Sequence, residues 1–375
     1  MISQIIIGLL LFSFALYLHF LWSILIGLRS ESKSANAWSP LVSVVIAARN
    51  EESTIAQCIR TVCNQSYPPD KLEVIVVDDH SQDHTIESAR SAAPHANGLS
   101  LKVLSISDLP GRQGKPAAIA YGIAAARGEI ILCTDADCLV PNNWAASMVG
   151  CFGPEVAFVA GPVSEIPARS LISQLQSLEF LGLIATGAGL IASGRPIICN
   201  GANIAYRRAA FDAVSGFGGN SSSCDDETLM QRMVLRNIGR VVFNFDRTAI
   251  VTTATPETVA AFWNQRTRWA AKSGHYEDWR ILVRLVALYS FFLMAFAAGV
   301  GTLSFHILLF PFLLVLVIKA AAEFAVLDLG AKRFNQPLSV RHFLIAEIFH
   351  VPYIVFAGLI GQFRTLRWKN RTLGK

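Results

Sequence analysis

Charge is scarce in this 375-residue chain: 16% of residues are Asp, Glu, Lys or Arg, 53% are hydrophobic, and the mean hydropathy is +0.43. A soluble enzyme of this size carries more charge, so the composition implies a soluble-type domain joined to a few membrane spans. No basic run and no RNA- or DNA-type motif accompanies the net charge of +5, which argues against a nucleic-acid partner. Basic residues collect beside apolar segments instead. Paired CxxC spacing is also missing. The seven cysteines (Cys58, Cys63, Cys133, Cys138, Cys151, Cys199 and Cys224) are scattered and odd in number. That excludes a zinc site of ordinary spacing and argues against a disulfide framework. They read as reduced and buried in a cytosolic domain. The chain has neither an internal repeat nor a low-complexity segment.

What is present first is an apolar stretch, Ile5 to Leu28, free of Asp, Glu, Lys and Arg. It is long enough to cross ~30 Å of hydrocarbon. A cleavable signal peptide is the rival reading, because Ala35-Asn36-Ala37 has the form of a cleavage site. The apolar region is too long for that, nothing basic precedes it, and Arg29, Glu31 and Lys33 separate it from the Ala-x-Ala. With Arg29 and Lys33 after the span, the C-terminal side is expected in the cytosol.

From about Leu41 to Tyr276 short β-branched runs alternate with helical ones. Strands are expected at Leu41–Ala48, Leu72–Val77, Leu101–Ile106 and Glu129–Thr134, with helices at Glu51–Asn64, Asp83–Ala93 and Pro116–Arg127. This is the pattern of an α/β domain with a mostly parallel, Rossmann-like sheet covered on both faces. Ligands bind beyond the carboxyl ends of such strands. Asp78 and Asp79 follow one strand, and Asp135 and Asp137 follow another. After Arg284 the chain turns apolar again. Leu285–Ser304 and Ile307–Leu327 are span candidates. Phe343–Phe363 is a third, interrupted by Glu347, His350 and Pro352, and either re-entrant or lying along the surface. Basic residues fall in the loop Asp328–His342 and in the tail Arg364–Lys375, so the side of the C-terminus is open. The expected division is 1–28 anchor, 29–280 catalytic domain and 281–375 membrane region.

Four local patterns carry chemistry. In an extended chain Asp135 and Asp137 project to one side, and two hard carboxylates suit Mg²⁺ or Mn²⁺ bridging to phosphates. Gly114-Lys115-Pro116 begins a helix. It reads equally as an anion site or as a plain helix start, and it is not a P-loop, since no Ser or Thr follows Lys115. Cys224-Asp225-Asp226-Glu227 precedes a helix, where an acid serves as N-cap or as general base. On the last helix, Gln265, Arg268 and Trp269 share a face that suits either phosphate and sugar binding or anchoring at a membrane interface.

In this order the motifs resemble family 2 glycosyltransferases of the GT-A fold, especially membrane-bound ones related to hyaluronan, cellulose and poly-N-acetylglucosamine synthases. The resemblance spans about Leu41 to Tyr276. Val44 to Glu52 is similar to the family's first strand and nucleotide-contacting turn, which implies donor contacts at Ala47, Arg49 and Glu51. Val76 to Thr85 resembles the nucleoside-binding segment with Asp78 and Asp79, although His80 stands where Gly is common. Asp135 and Asp137 match the metal–diphosphate motif, and Asn200 to Arg208, with Asn203, the acceptor-side strand. Asp226 matches the catalytic base, with Cys224 departing from the usual Gly or Thr. Gln265, Arg268 and Trp269 match the Gln-x-x-Arg-Trp motif near the donor diphosphate and the acceptor.

The resemblance implies an inverting transferase using a UDP-sugar. Asp137, with help from Asp135, would bind Mg²⁺ or Mn²⁺, and Lys115, Arg268 and Trp269 would offset leaving-group charge. The acceptor is expected to be a lipid or lipid-linked hydroxyl at the membrane, and the catalytic domain is expected on the cytosolic face of the plasma (inner) membrane. A processive polysaccharide synthase is the alternative. A transporter or receptor with a nucleotide-binding domain is the remote one, suggested by Lys319 and Glu323 four apart in a predicted span.

Overall fold

A computed structural model describes residues 2–31, 38–92, 98–109, 111–218, 225–255, 258–270, 276–363, 366–368 and 371–373. Side chains of 225, 267–270 and everything beyond 360 lie outside that description. So do Cys224, the Ala35–Ala37 stretch and the side chains of Arg268 and Trp269.

Helix α1 (Ile2–Leu28) leads into an α/β domain that alternates as expected: β1 (Val42–Ala48), α2 (Ile55–Cys63), β2 (Leu72–Asp78), α3 (Thr85–Ser91), β3 (Ser100–Ser105), α4 (Lys115–Ala124) and β4 (Ile130–Asp135). Then follow α5 (Trp144–Gly150), β5 (Val156–Ala160), β6 (Val163–Ile166), α6 (Leu171–Ala192), β7 (Ile204–Arg207), α7 (Arg208–Ala213), α8 (Asp225–Leu235), β8 (Arg240–Phe243), β9 (Val251–Ala254) and α9 (Val259–Ala270). The chain ends with α10 (Trp279–Gly301), α11 (Leu309–Arg333), α12 (Val340–Phe363) and a short antiparallel pair, β10 (Leu366–Trp368) and β11 (Arg371–Leu373).

Seven strands form one sheet in the order β3-β2-β1-β4-β7-β5-β8. The first four are parallel, β7 runs antiparallel to both neighbours, and β8 is parallel to β5. The runs Val42–Ala48 and Leu72–Asp78 are apolar on both pleat faces because helices cover both sides. Chain order reverses direction at β1, with β2 on one side and β4 on the other, and the crevice outside the carboxyl ends opens there. Strands β6 and β9 pair separately and in parallel.

Among the described residues five helices are long and apolar enough to cross a membrane: α1, α10, α11 with the turn before it, α12 and α6. The first four answer to the stretches expected from sequence. Helix α6 was not anticipated. It lies inside the expected catalytic domain, packs on α1, α11 and α12, and is the most buried of the five. Its approach to α1 rests on two glycines. A Cβ on Gly27 would overlap the carbonyl oxygen of Gly189, and one on Gly189 would fall 2.5 Å from the carbonyl oxygen of Ile24. Two larger residues there would force the helices apart.

Within the helices Lys319 is paired several times over. Its ammonium lies 2.9 Å from Glu323, 2.9 Å from Glu347 and 3.0 Å from His350 Nδ1, and Tyr17 donates to Glu323 at 2.5 Å. The carboxylates and imidazole surround an ammonium, so the group is satisfied by its own charges. Such pairing is what a charge removed from water requires. The end of this bundle that carries Leu28 and Arg333 is tied to the domain that contains the sheet. Arg333 donates to the carbonyls of Leu28 and Ser30, Arg247 donates to those of Lys332 and Arg333, and Phe334 stacks on Phe245.

Gly27→Val is expected to destabilise the detergent-solubilised protein by ~1–3 kcal/mol through overpacking at the α1–α6 crossing. Gly8→Val, where an added Cβ meets nothing within 4 Å, serves as control. Melting curves followed by size-exclusion recovery check it, and equal losses for the two variants would refute the close-packing account.

Candidate active site at the carboxyl edge of the sheet

The register of β1 sets the site. Ala48 lies opposite Asp78 of β2, and Ala47 lies opposite Asp135 of β4, so both acid-bearing strand ends stop at one level. The loops beyond them are laced together. Arg49 Nη1 donates to the carbonyls of Asp79 (2.6 Å) and His80 (3.0 Å), the Asn50 amide donates to Ser81 Oγ, and the Glu51 amide donates to Thr85 Oγ1. His80 has φ 58°. That left-handed conformation explains why glycine is common here in the resembled family, and an L-residue holds it only because the surrounding bonds do. Its ring contacts Asp79 Oδ1 at 3.0 Å.

The expected donor residues have different surroundings. Asp79 accepts the Gly114 amide on both carboxylate oxygens, at 3.1 and 3.0 Å, and so holds the loop that starts α4. Asp78 is 2% exposed. Its Oδ2 accepts from the Ser81 amide, while Oδ1 is buried without a donor. Arg49 and Asp79 thus shape the wall. Ala47 and Glu51 are half-buried on its rim.

Lys115 is drawn in from α4. Its ammonium lies 2.5 Å from Asp135 Oδ1. A Cβ added to Gly201 would sit 2.7 Å from Asp226 Oδ2 and 3.1 Å from the Lys115 nitrogen. Asp226, Lys115 and Asp135, which come from three elements far apart in sequence, therefore meet over one glycine. Asp226 Oδ1 accepts the amide of Glu227, leaving Oδ2 turned toward Gly201. Gly201 falls within the Asn200 to Arg208 stretch, where the sequence alone assigns it no role.

One oxygen each of Asp135 and Asp137 and the Cys138 sulfur lie within 4.8 Å of one another. Burial, with Asp137 and Asp135 beside it, pushes the Cys138 thiol well up, and burial does the same to Cys58 behind Asp135. The hard donors are two carboxylates, one of them already charge-paired with Lys115. That pair fits Mg²⁺ or Mn²⁺. Four of the six described cysteines, Cys58, Cys63, Cys133 and Cys138, are buried.

Asn203 sits in the core rather than at the crevice. It is fully buried, accepts from Trp144 Nε1 at 2.8 Å and donates to the carbonyls of Pro162 and Ala249, each at 2.8 Å. Gln265 is half-buried on α9, with Oε1 lacking a donor. Beside it is a polar group that sequence reasoning missed. Arg266 forms an ion pair with Glu179 of α6 at 3.0 Å, Tyr353 of α12 donates to Glu179 at 2.8 Å, and the buried Glu165 of β6 meets Gln176 at 3.5 Å. The available signal was Glu179 itself, an acid inside an apolar run.

The family model described as Glycosyltransferase like family 2 matches residues 39–272, and the chain belongs to that family. Among its relatives, the poly-beta-1,6-N-acetyl-D-glucosamine synthase of Staphylococcus epidermidis is 24% identical over 62% of this chain and 54% of that protein. The beta-monoglucosyldiacylglycerol synthase of Trichormus variabilis is 28% identical over 64% and 51%. The chain thus spans about half the length of these curated relatives. A mannosyltransferase from Pyrobaculum calidifontis, solved with GDP-Man and Mn²⁺, has a TM-score of 0.63 at 21% identity, covering 96% of this chain and 99% of that one. Its likeness confirms the GT-A fold, with apolar helices on both flanks of the catalytic domain.

Two outcomes are expected. Gly201→Ala pushes the Asp226 carboxylate aside and lowers turnover by ~10²-fold, as small misplacements of reacting groups do, with unchanged melting temperature. Turnover near wild type would remove Gly201 from the site. Burial also raises the Glu165 carboxyl from 4.5 to about 7. Its folded-state value lies above its unfolded one, so folded protein holds the extra proton, and stability falls as pH rises from about 4.5 through 7. Denaturation midpoints measured across that window should fall less in Glu165→Gln, and parallel declines would exclude Glu165 as the source.

Proposed function

We propose that the protein is an inverting glycosyltransferase that moves a sugar from a nucleotide-sugar to a hydroxyl presented by the membrane. The observation carrying this is the meeting of Asp226, Lys115 and Asp135 over Gly201, at the edge where Asp78 presents a buried acceptor oxygen.

Asp78 Oδ1 accepts from the nucleobase or ribose, in a crevice shaped by Ala47, Arg49, Glu51 and Asp79. Asp226 Oδ2 takes the proton from the acceptor hydroxyl. The freed oxygen attacks the anomeric carbon from the face opposite the leaving group. The bond from that carbon to the phosphate oxygen breaks, the electron pair leaves on the nucleoside diphosphate, and the configuration inverts. Lys115 offsets part of the charge that develops there. Asp137, with Asp135, would hold Mg²⁺ or Mn²⁺, which supplies further neutralisation of the diphosphate when bound. Gln265, Arg268 and Trp269 are assigned to the acceptor side and the diphosphate on the resemblance.

The acceptor reading is supported by how close the catalytic domain lies to the apolar helices, with α6 and α9 both packed on α12. It is also the chemistry in the name of the diacylglycerol relative. Arg29, Lys332 and Arg333 gather at one end of the bundle, where Arg333 binds the Leu28 and Ser30 carbonyls. By the positive-inside rule that end, and the catalytic domain, face the cytosol, the compartment expected from sequence to hold the catalytic domain at the plasma (inner) membrane. A processive synthase is the second reading, favoured by the name of the poly-N-acetylglucosamine relative.

Membranes incubated with radiolabelled UDP- and GDP-sugars are expected to form a lipid-soluble product from a UDP-sugar; polymer would favour the second reading, and no transfer from any donor would refute the first. Asp226→Asn should retain donor binding and lose ~10²–10⁴-fold in transfer. Asp137→Ala and chelation should each abolish it, with Mn²⁺ restoring only the wild type. Full activity of purified Asp137→Ala would overturn the metal assignment.

A further inference from the structure

Glu179 lies on α6, near the apolar helices and outside the crevice, yet its carboxylate serves two other elements at once. Oε1 accepts the Tyr353 hydroxyl of α12 at 2.8 Å, and Oε2 lies 3.0 Å from Arg266 Nε of α9. Arg266 is 4% exposed. A guanidinium so buried depends on nearby carboxylates, Glu179 in contact and Glu165 within electrostatic reach, because one left uncompensated away from water is strongly unfavourable. Ring contacts join the same helices. The Arg266 guanidinium lies over Phe262 at 5.1 Å, Phe262 stacks on Tyr353 at 5.9 Å, and Trp263 meets Tyr353 edge-on at 6.3 Å. Such apolar contacts tolerate sliding and rotation. The ion pair, a 3.0 Å contact of opposite charges, favours the rotation of α9 that turns Arg266 toward Glu179, and the directional Tyr353 bond holds that carboxylate in place. At ~100° per residue, positions 265, 268 and 269 share a different face from position 266. Fixing Arg266 toward Glu179 therefore fixes the direction in which the Gln265–Trp269 face looks.

The α12 end of this linkage falls at a weak point in that helix. Pro352 has no N–H to give the carbonyl of Ile348, so α12 bends most readily just where Tyr353 makes its bond. A shift of α12 is thereby passed to α9 through one carboxylate.

We propose that Glu179 is a positioning residue that couples α12 to α9, so that transfer to the membrane acceptor depends on it more steeply than donor engagement does. This rests on the transferase reading above, and it adds a route by which the membrane-side helices control the acceptor-side motif.

The test uses the full-length enzyme in lipid vesicles with Glu179→Gln, Tyr353→Phe and their double variant. Three quantities are read: kcat for transfer, KM for the nucleotide-sugar, and the rate of donor hydrolysis to water without acceptor. Each single variant is expected to lower kcat for transfer by ~10-fold or more, a modest misplacement effect. Donor KM and hydrolysis should stay within ~2-fold, and the double variant should be no worse than Glu179→Gln, since both act through one carboxylate. Losses that multiply, or hydrolysis that falls in step with transfer, would overturn the proposal. Should Glu179→Gln fail to accumulate, Tyr353→Phe decides by itself, because it deletes a single hydroxyl; unchanged transfer in it would overturn the coupling. Variants equal to an active wild type refute this proposal alone, whereas a wild type with neither hydrolysis nor transfer refutes the transferase reading and this with it.

Discussion

Strand β1 pairs in parallel with β2 on one side and β4 on the other, and its register puts Ala48 beside Asp78 and Ala47 beside Asp135. A slip by one residue would turn every side chain to the opposite face, and in a strand covered on both sides it would also misalign the two acid-bearing ends. The Arg49, Asn50 and Glu51 bonds to the loop after β2 reinforce that level from outside the sheet. The crevice, its buried Asp78 oxygen and the approach of Lys115 to Asp135 all depend on this alignment.

Missing side chains matter as much as those present. Gly201 leaves the space over which Asp226 and Lys115 approach each other, and Gly27 and Gly189 let α1 and α6 touch backbone to backbone. The first builds the site. The second seats the domain that contains the sheet on the apolar helices. In each case a single methyl group would occupy space that a neighbouring oxygen already fills.

Two buried polar groups bind the helices into a specific arrangement. Tyr17, Lys319, Glu323, Glu347 and His350 neutralise one another across α1, α11 and α12, and Glu179 joins α6, α9 and α12. Charges held away from water tolerate few alternative packings, because each must meet its partner. That accounts for Lys319 and Glu323 without a transport function. It also supplies a rigid path from the apolar helices to the helix carrying Gln265.

The strand and helix pattern to Asp135, the terminal apolar helices and the acid-rich strand ends were all legible in the sequence. Each follows from local periodicity, length or composition, which the chain carries with it wherever it folds. His80 was legible as a departure, and its left-handed backbone supplied the reason. Other features were decided only by tertiary structure: the antiparallel insertion of β7, the packing of α6 against the bundle, the burial of Asn203 in the core, the direction of Asp226 Oδ2 and the partnership of Arg266 with Glu179. Nothing local shows that Asp226 Oδ2 turns toward Gly201 and Lys115, and Arg266 could face any direction until α6 supplied a carboxylate. Their partners lie tens of residues or more away along the chain, and no local periodicity encodes which distant side chain will share a buried contact.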